Sequence, residues 1–179
     1  MVARQVALLR GINLGPRNRI AMAELRAALE AAGFGDVSTY VQSGNVVLSS
    51  GAAPDAVARA VEAAIAARFG LDIAVLVRTR AELAAVVRND PFGGAVEEPK
   101  RLQVTFLDAP LSRDVAAKIE AAAAGGERVV VAKREVYAWH PVGVGRSKLA
   151  TLLAGRSLGV TATARNWTTV TTLLELASA

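Results

Sequence analysis

The chain has 179 residues, of which 53% are hydrophobic and 21% charged, with a net charge of +5, no cysteine and a single histidine, His140. This is the profile of a globular chain with one good core or two small ones, too rich in apolar residues to be disordered. The absence of cysteine excludes disulfides, thiolate catalysis and cysteine-ligated metal, and one histidine makes a histidine-based zinc site or a Ser-His-Asp triad very hard to assemble, so no metal and no cofactor is expected.

No apolar run approaches the roughly 20 residues that cross a bilayer, and Met1-Val2-Ala3-Arg4-Gln5 leads into a strand pattern without the order of a signal peptide. A cytoplasmic location without membrane association is the expectation.

Val6 to Leu9 reads as a buried strand. It ends in Arg10-Gly11-Ile12-Asn13-Leu14-Gly15-Pro16-Arg17-Asn18-Arg19-Ile20, a loop dense in glycine, asparagine and arginine, before a helix that places Met22, Leu25 and Leu29 on one face and stops ahead of Gly33. Val37 to Val41 and Asn45 to Leu48 predict a hairpin turning through Gln42-Ser43-Gly44. Pro54 suits the first turn of a helix carrying Val57, Val61, Ile65 and Phe69 at a spacing of four. Ile73 to Val77 reads as a β-branched strand. Thr79 and Glu82 form a capping-box pattern ahead of Leu83, Val86 and Val87, a feature worth about 1 kcal/mol.

From Leu102 the order begins again. Leu102, Val104 and Phe106 share one face of an alternating strand, and Ser112 caps a helix with Val115 and Ile119 turned inward. Val129 to Ala132 and Glu135 to His140 predict a second hairpin with Lys133-Arg134 at its tip. Ser147 starts a short helix with Leu149, Leu152 and Leu153, Val160 to Thr163 is a short strand, and Asn166 caps a last helix with Val170, Leu173, Leu174 and Ala177 on one side. Both halves therefore read β-α-β-β-α-β followed by one more helix, the split β-α-β plan of ferredoxin-like domains. The fold class expected is α+β: two ferredoxin-like units in tandem, residues 1–97 and 98–179, each an antiparallel four-stranded sheet with its helices on one face.

Four polar segments are candidates for chemistry. In the first loop, Gly11 lets the backbone approach a ligand, Arg10 favours negative charge and Asn13 adds a polar amide. Ser43 and Asn45 flank the tip of the first hairpin, where a turn alone would also demand such residues. Val142-Gly143-Val144-Gly145-Arg146-Ser147-Lys148 leads into a helix as a phosphate cradle would, with Ser147 and Lys148 in the first turn, but it is not a Walker A motif. Arg165 and Asn166 open the last helix, where the arginine fork suits phosphate or carboxylate and the asparagine suits a cap. Tyr137 and Trp139 share a strand face without any RNA-binding signature, and His140 shows no carboxylate partner in the sequence. Between Arg128 and Arg165 seven basic residues stand against one acid, Glu135, a stretch that attracts polyanions.

Taken together, Leu8-Leu9-Arg10-Gly11-Ile12-Asn13, Met22-Ala23-Glu24-Leu25-Arg26, Thr39-Tyr40-Val41-Gln42-Ser43-Gly44-Asn45-Val46, Asp90-Pro91-Phe92, Ser147-Lys148 and Thr163-Ala164-Arg165-Asn166-Trp167-Thr168-Thr169-Val170 resemble the bacterial family known as domain of unknown function 1697. The resemblance implies a cytosolic bacterial protein of paired ferredoxin-like halves, and implies no activity, cofactor or catalytic residue. From the residues themselves the leading expectation is a module binding a nucleotide or nucleic-acid phosphate through Arg10, Gly11, Asn13, Ser43, Asn45, Ser147, Lys148, Arg165 and Asn166. The alternatives are a phosphoryl-transfer enzyme using Ser147 or Lys148, and a protein-interaction scaffold whose polar motifs are internal hydrogen-bond networks.

Overall fold

The computed structural model describes residues 1–94 and 97–179. The chain divides into two compact units, Met1–Ala85 with Thr172–Ala179, and Val86–Thr171. In the first unit, β1 (Ala3–Leu9), α1 (Met22–Ala31), β2 (Gly35–Tyr40), β3 (Asn45–Ser50), α2 (Pro54–Phe69) and β4 (Val75–Thr79) follow in order. The sheet runs β2-β3-β1-β4 and every pairing is antiparallel. This is the ferredoxin-like order.

Alternation along β1 decides what each face of that sheet holds. Ala7 and Leu9, with Val46, Leu48, Val75 and Val77 from the neighbouring strands, pack against Leu25 and Leu29 of α1 and Val57, Val61 and Ile65 of α2. Each fully buried Val, Leu or Ile contributes about 1.5–3 kcal/mol, so this two-layer core is the main stabilising term of the unit. The opposite face is buried as well, with Val6, Leu8, Val47 and Leu76 at 3% exposure or less. Hydrophobic-in, polar-out alternation therefore does not describe this sheet, and its strands read as nearly continuous apolar runs.

In the chain of the second unit, α3 (Arg80–Arg88) carries the boundary between the units, and β5 (Leu102–Leu107), α4 (Arg113–Ala122), β6 (Arg128–Val131), β7 (Glu135–Trp139), α5 (Lys148–Ala154) and β8 (Ala162–Asn166) follow before α6 (Trp167–Ser178). The sheet order β6-β7-β5-β8 repeats the first topology. Leu107, Val136, Ala138 and Ala162 meet Ile119 of α4 and Leu149 and Leu153 of α5 on one face. Leu102, Val104 and Phe106 occupy the other, also buried. The Tyr137 hydroxyl donates to the carbonyl of Val86 at 2.9 Å, and burial, with Glu135 and Asp90 adding to it, pushes that phenol up to about 12.

The local signals for helix starts hold at atomic level. Thr79 and Glu82 form the reciprocal box, with Glu82 Oε2 accepting from the Thr79 N–H at 2.8 Å and Thr79 Oγ1 from the Glu82 N–H at 3.1 Å. Ser112, Ser147 and Asn166 each accept from the backbone N–H three residues on. The last strand departs from expectation: it runs Ala162–Asn166, because Thr161 is held by Asp108, whose carboxylate accepts the Thr161 N–H at 2.9 Å, and the ladder with β5 begins only at Leu107–Ala162. That shift places Arg165 inside the sheet. Among the described residues, no helix is long and apolar enough to cross a membrane.

Candidate functional site

The loop after β1 is fastened by Asn13, whose backbone is left-handed at φ +54°, a conformation that asparagine tolerates better than most residues. Its Oδ1 accepts from the Ile20 N–H at 2.9 Å, and its Nδ2 donates to the carbonyls of Ile20 at 2.9 Å and Gln42 at 2.7 Å. One amide thus closes an eight-residue loop and ties it to the first hairpin. Asn18 donates to the Gly11 carbonyl and Arg19 Nε to the Gly15 carbonyl, tightening the same loop. Arg10 follows at the end of β1, half-buried, its N–H donating to the Ala74 carbonyl.

The hairpin tip is built with equal economy. Gly44 has φ +84°, and a Cβ there would lie 2.7 Å from Leu9 Cβ and 3.1 Å from Ile12, so only glycine fits. Fully buried Asn45 donates to the Tyr40 carbonyl and to Ser43 Oγ, both at 3.1 Å. Asn13, Arg19, Gln42 and Ser43 line a surface pocket of about 510 Å³. The structure therefore brings Asn13 and Ser43 together, through the loop and the hairpin that Asn13 itself joins.

In the second unit Ser147 and Lys148 share a surface pocket of about 490 Å³ with Arg146, Thr151 and Ser157. Arg146 and Lys148 are exposed, and among the described residues no Asp or Glu lines it. Ser147 is committed elsewhere: its Oγ accepts the Ala150 N–H at 3.0 Å and donates to Glu127 Oε1. The same carboxylate oxygen lies 2.8 Å from His140 Nδ1, in a pair whose side chains are 7% and 1% exposed. Burial by itself would raise the Glu127 carboxyl, but the hydrogen bonds from Ser147, His140 and the Ala124 N–H, with the imidazole's charge whenever the ring is protonated, outweigh it and hold it below the ordinary carboxylate range.

His140 accordingly has the carboxylate partner that the sequence did not reveal. The signal was available in the second hairpin, whose register pairs Arg128 with Trp139 and therefore carries Glu127 opposite His140 one step beyond the ladder. The serine hydroxyl is bonded to the carboxylate rather than to the imidazole, so the three residues are not arranged as a nucleophile triad.

Arg165 stands apart from the lining of the Ser147 pocket. It is 8% exposed within β8, donating to Thr163 Oγ1 and to the Ala164 carbonyl, both at 2.8 Å. Burial lowers its guanidinium to about 10, which leaves it charged at neutral pH. Asn166 is spent on the cap of α6. Arg165 has a counterpart that the sequence reading did not single out. Arg78 lies opposite Val6 on β4 as Arg165 lies opposite Val104 on β8, and it is 1% exposed. Among the described residues no group of three or more His, Asp or Glu is placed to hold a metal ion.

The fold is shared with a conserved bacterial protein from Streptococcus pneumoniae, which is 22% identical, matches over 99% of both chains and superposes with a TM-score of 0.80. At that identity the likeness speaks for the fold alone. Among curated proteins none matches the chain. The sequence profile of the family described as protein of unknown function (DUF1697) matches residues 2–137, about three quarters of the length and all of the first unit's sheet. The chain belongs to the DUF1697 family.

Proposed function

We propose that the protein is a cytoplasmic binding module for a phosphate-bearing ligand, a nucleotide or the phosphate of a nucleic acid, taken at the Ser147–Lys148 pocket of the second unit. The observation that carries the reading is the composition of that pocket: the cations Arg146 and Lys148, the hydroxyl of Ser157, and no carboxylate in about 490 Å³. Lys148 presents three donors at a compact charge and Arg146 a planar fork, and each charge-assisted bond to a phosphate contributes roughly 1.5–3 kcal/mol. An enzyme using Ser147 as nucleophile is the weaker reading, because its hydroxyl already bridges Glu127 and the Ala150 N–H.

The motifs of the first unit support a second reading in which Asn13, Ser43 and Asn45 hold the chain rather than a ligand. The three bonds from the Asn13 amide favour it. The test of the phosphate reading is thermal shift and calorimetry with ADP, inorganic phosphate and a short oligonucleotide. A ligand that binds only the native state raises its stability by mass action, and its affinity should fall as salt rises. The double variant Arg146→Ala, Lys148→Ala should abolish the shift. Binding that survives the double variant, or no shift with any of the three probes, refutes the reading.

A further inference from the structure

A second cavity of the Val86–Thr171 unit, about 310 Å³, lies between the inner side of α5 and the sheet, with Thr105 of β5, His140, Val144 and Ala164 of β8 in its wall. Among the described residues no charged one lines it. Two polar atoms of its lining side chains, His140 Nε2 and Thr105 Oγ1, are buried without a hydrogen-bond partner, and both residues are 1% exposed. A buried polar group left unsatisfied costs about 1–3 kcal/mol, so both atoms are a standing cost to the fold until a partner reaches them. The other polar side chains of the lining, Gln103 and Thr151, already donate to the carbonyls of Lys100 and Ser147, so the two orphaned atoms beside this space describe a site that is completed by a guest.

The chemistry of the guest follows from the groups around it. Glu127 receives the Nδ1 edge of the imidazole at 2.8 Å, which assigns the ring proton to Nδ1 and leaves Nε2 of the neutral ring as a bare acceptor. The guest must then donate. Its charge is constrained too, because the wall supplies no cation and the Glu127 carboxylate behind the ring repels an anion. Its size is small, since 310 Å³ is at the lower end of the roughly 300–1,000 Å³ of ligand pockets.

We propose that this cavity binds a small uncharged molecule carrying an alcohol or a primary amide on an apolar body, its donor bonded to His140 Nε2 and its oxygen to the Thr105 hydroxyl. Glu127, bridged to the start of α5 through Ser147, is the positioning residue that holds the ring in the accepting tautomer. Both target atoms show less than 1 Å² of surface, so the cavity wall must give way at them for the guest to bond. None of this rests on the phosphate pocket.

The single histidine makes the test direct, because every imidazole signal in the spectrum of the labelled protein belongs to His140. Long-range proton–nitrogen spectra of the full chain are recorded with benzamide, with benzyl alcohol, and with toluene as a guest of similar shape that cannot donate. The expected result is a protonated Nδ1 and a bare Nε2 in the neutral ring, with the Nε2 resonance moving toward the hydrogen-bonded range as benzamide or benzyl alcohol is added and staying still with toluene. Thr105→Val, which keeps shape and removes the orphan hydroxyl, should fold as stably as the parent and weaken benzamide roughly five- to tenfold, the loss of one hydrogen bond. Lys148→Ala should leave benzamide binding unchanged, which separates this site from the phosphate pocket. A proton on Nε2 with Nδ1 bare, an Nε2 signal indifferent to benzamide and benzyl alcohol, toluene binding as tightly as benzamide, or Thr105→Val binding at parental affinity would each overturn the proposal.

Discussion

The side chain of Asn13 decides whether the glycine-rich loop after β1 is a clasp or a grip. Asn13→Ala removes three hydrogen bonds of 2.7–2.9 Å, leaving the Ile20 N–H and the carbonyls of Ile20 and Gln42 without that partner. At a net 0.5–1.5 kcal/mol each, these sum to about 1.5–4.5 kcal/mol. Alanine at φ +54° adds roughly 1 kcal/mol of backbone strain that asparagine largely avoids, so the expected loss is about 2.5–5.5 kcal/mol. Urea unfolding followed by circular dichroism measures the total, and hydrogen exchange at the Ile20 amide reports the site itself. Asn13→Gly relieves the strain while losing the same bonds and should recover only about 1 kcal/mol of the loss. Asn13→Asp keeps an acceptor for the Ile20 N–H but turns a carboxylate toward two carbonyls, and should be no more stable than the alanine variant. A cost below about 0.5 kcal/mol for Asn13→Ala, with Ile20 exchange unchanged, would refute the clasp. Loss of phosphate binding at unchanged stability would instead make the loop a ligand grip.

Two further outcomes follow from the same kind of reasoning. Gly44→Ala should be far more damaging than Gly11→Ala although both glycines have positive φ. The Gly44 methyl would meet Leu9 Cβ, fixed to its backbone, at 2.7 Å, whereas Gly11 has open space within 4 Å. Strain alone at Gly11 costs about 1 kcal/mol, strain plus overlap at Gly44 roughly 2–5 kcal/mol, and equal melting temperatures for the two variants would contradict the packing described. The depressed Glu127 carboxyl binds protons less readily in the folded chain than in the unfolded one, whose ordinary value is near 4.5. Its contribution is therefore present above about pH 4.5 and lost as the pH falls through the lower folded value. The melting-temperature advantage of the parent over Glu127→Gln should shrink as the pH falls below 4.5. An advantage that grows on acidification would reverse the sign assigned here.

Much of this architecture was legible because it rests on interactions between residues close in sequence. The capping box of Thr79 and Glu82, the caps at Ser112, Ser147 and Asn166 and the four-residue spacing of Val57, Val61 and Ile65 are all settled within one or two helical turns. Placed in order, such elements leave few topologies open, and the order β-α-β-β-α-β found its usual sheet twice. The polar candidates were harder to read. Asn13, Asn45, Arg165 and Asn166 are the residue types that ligand sites use, but they are also the types a chain uses to satisfy its own carbonyls and amides, and composition does not distinguish the two. Here all four side chains bond to groups of the protein itself.

The sequence by itself determined which segments become helices and strands, where the capped helices begin and that two like units follow one another along the chain, since periodicity and capping act over a few residues. Tertiary structure alone decided that Ser147 of α5's cap and His140 share one Glu127 carboxylate oxygen and that a cavity opens beside the imidazole. It also drew Arg165 into a sheet. Those outcomes depend on strand register and on the packing of α5 over β5 and β8, where a shift of one residue would turn every side chain to the other face.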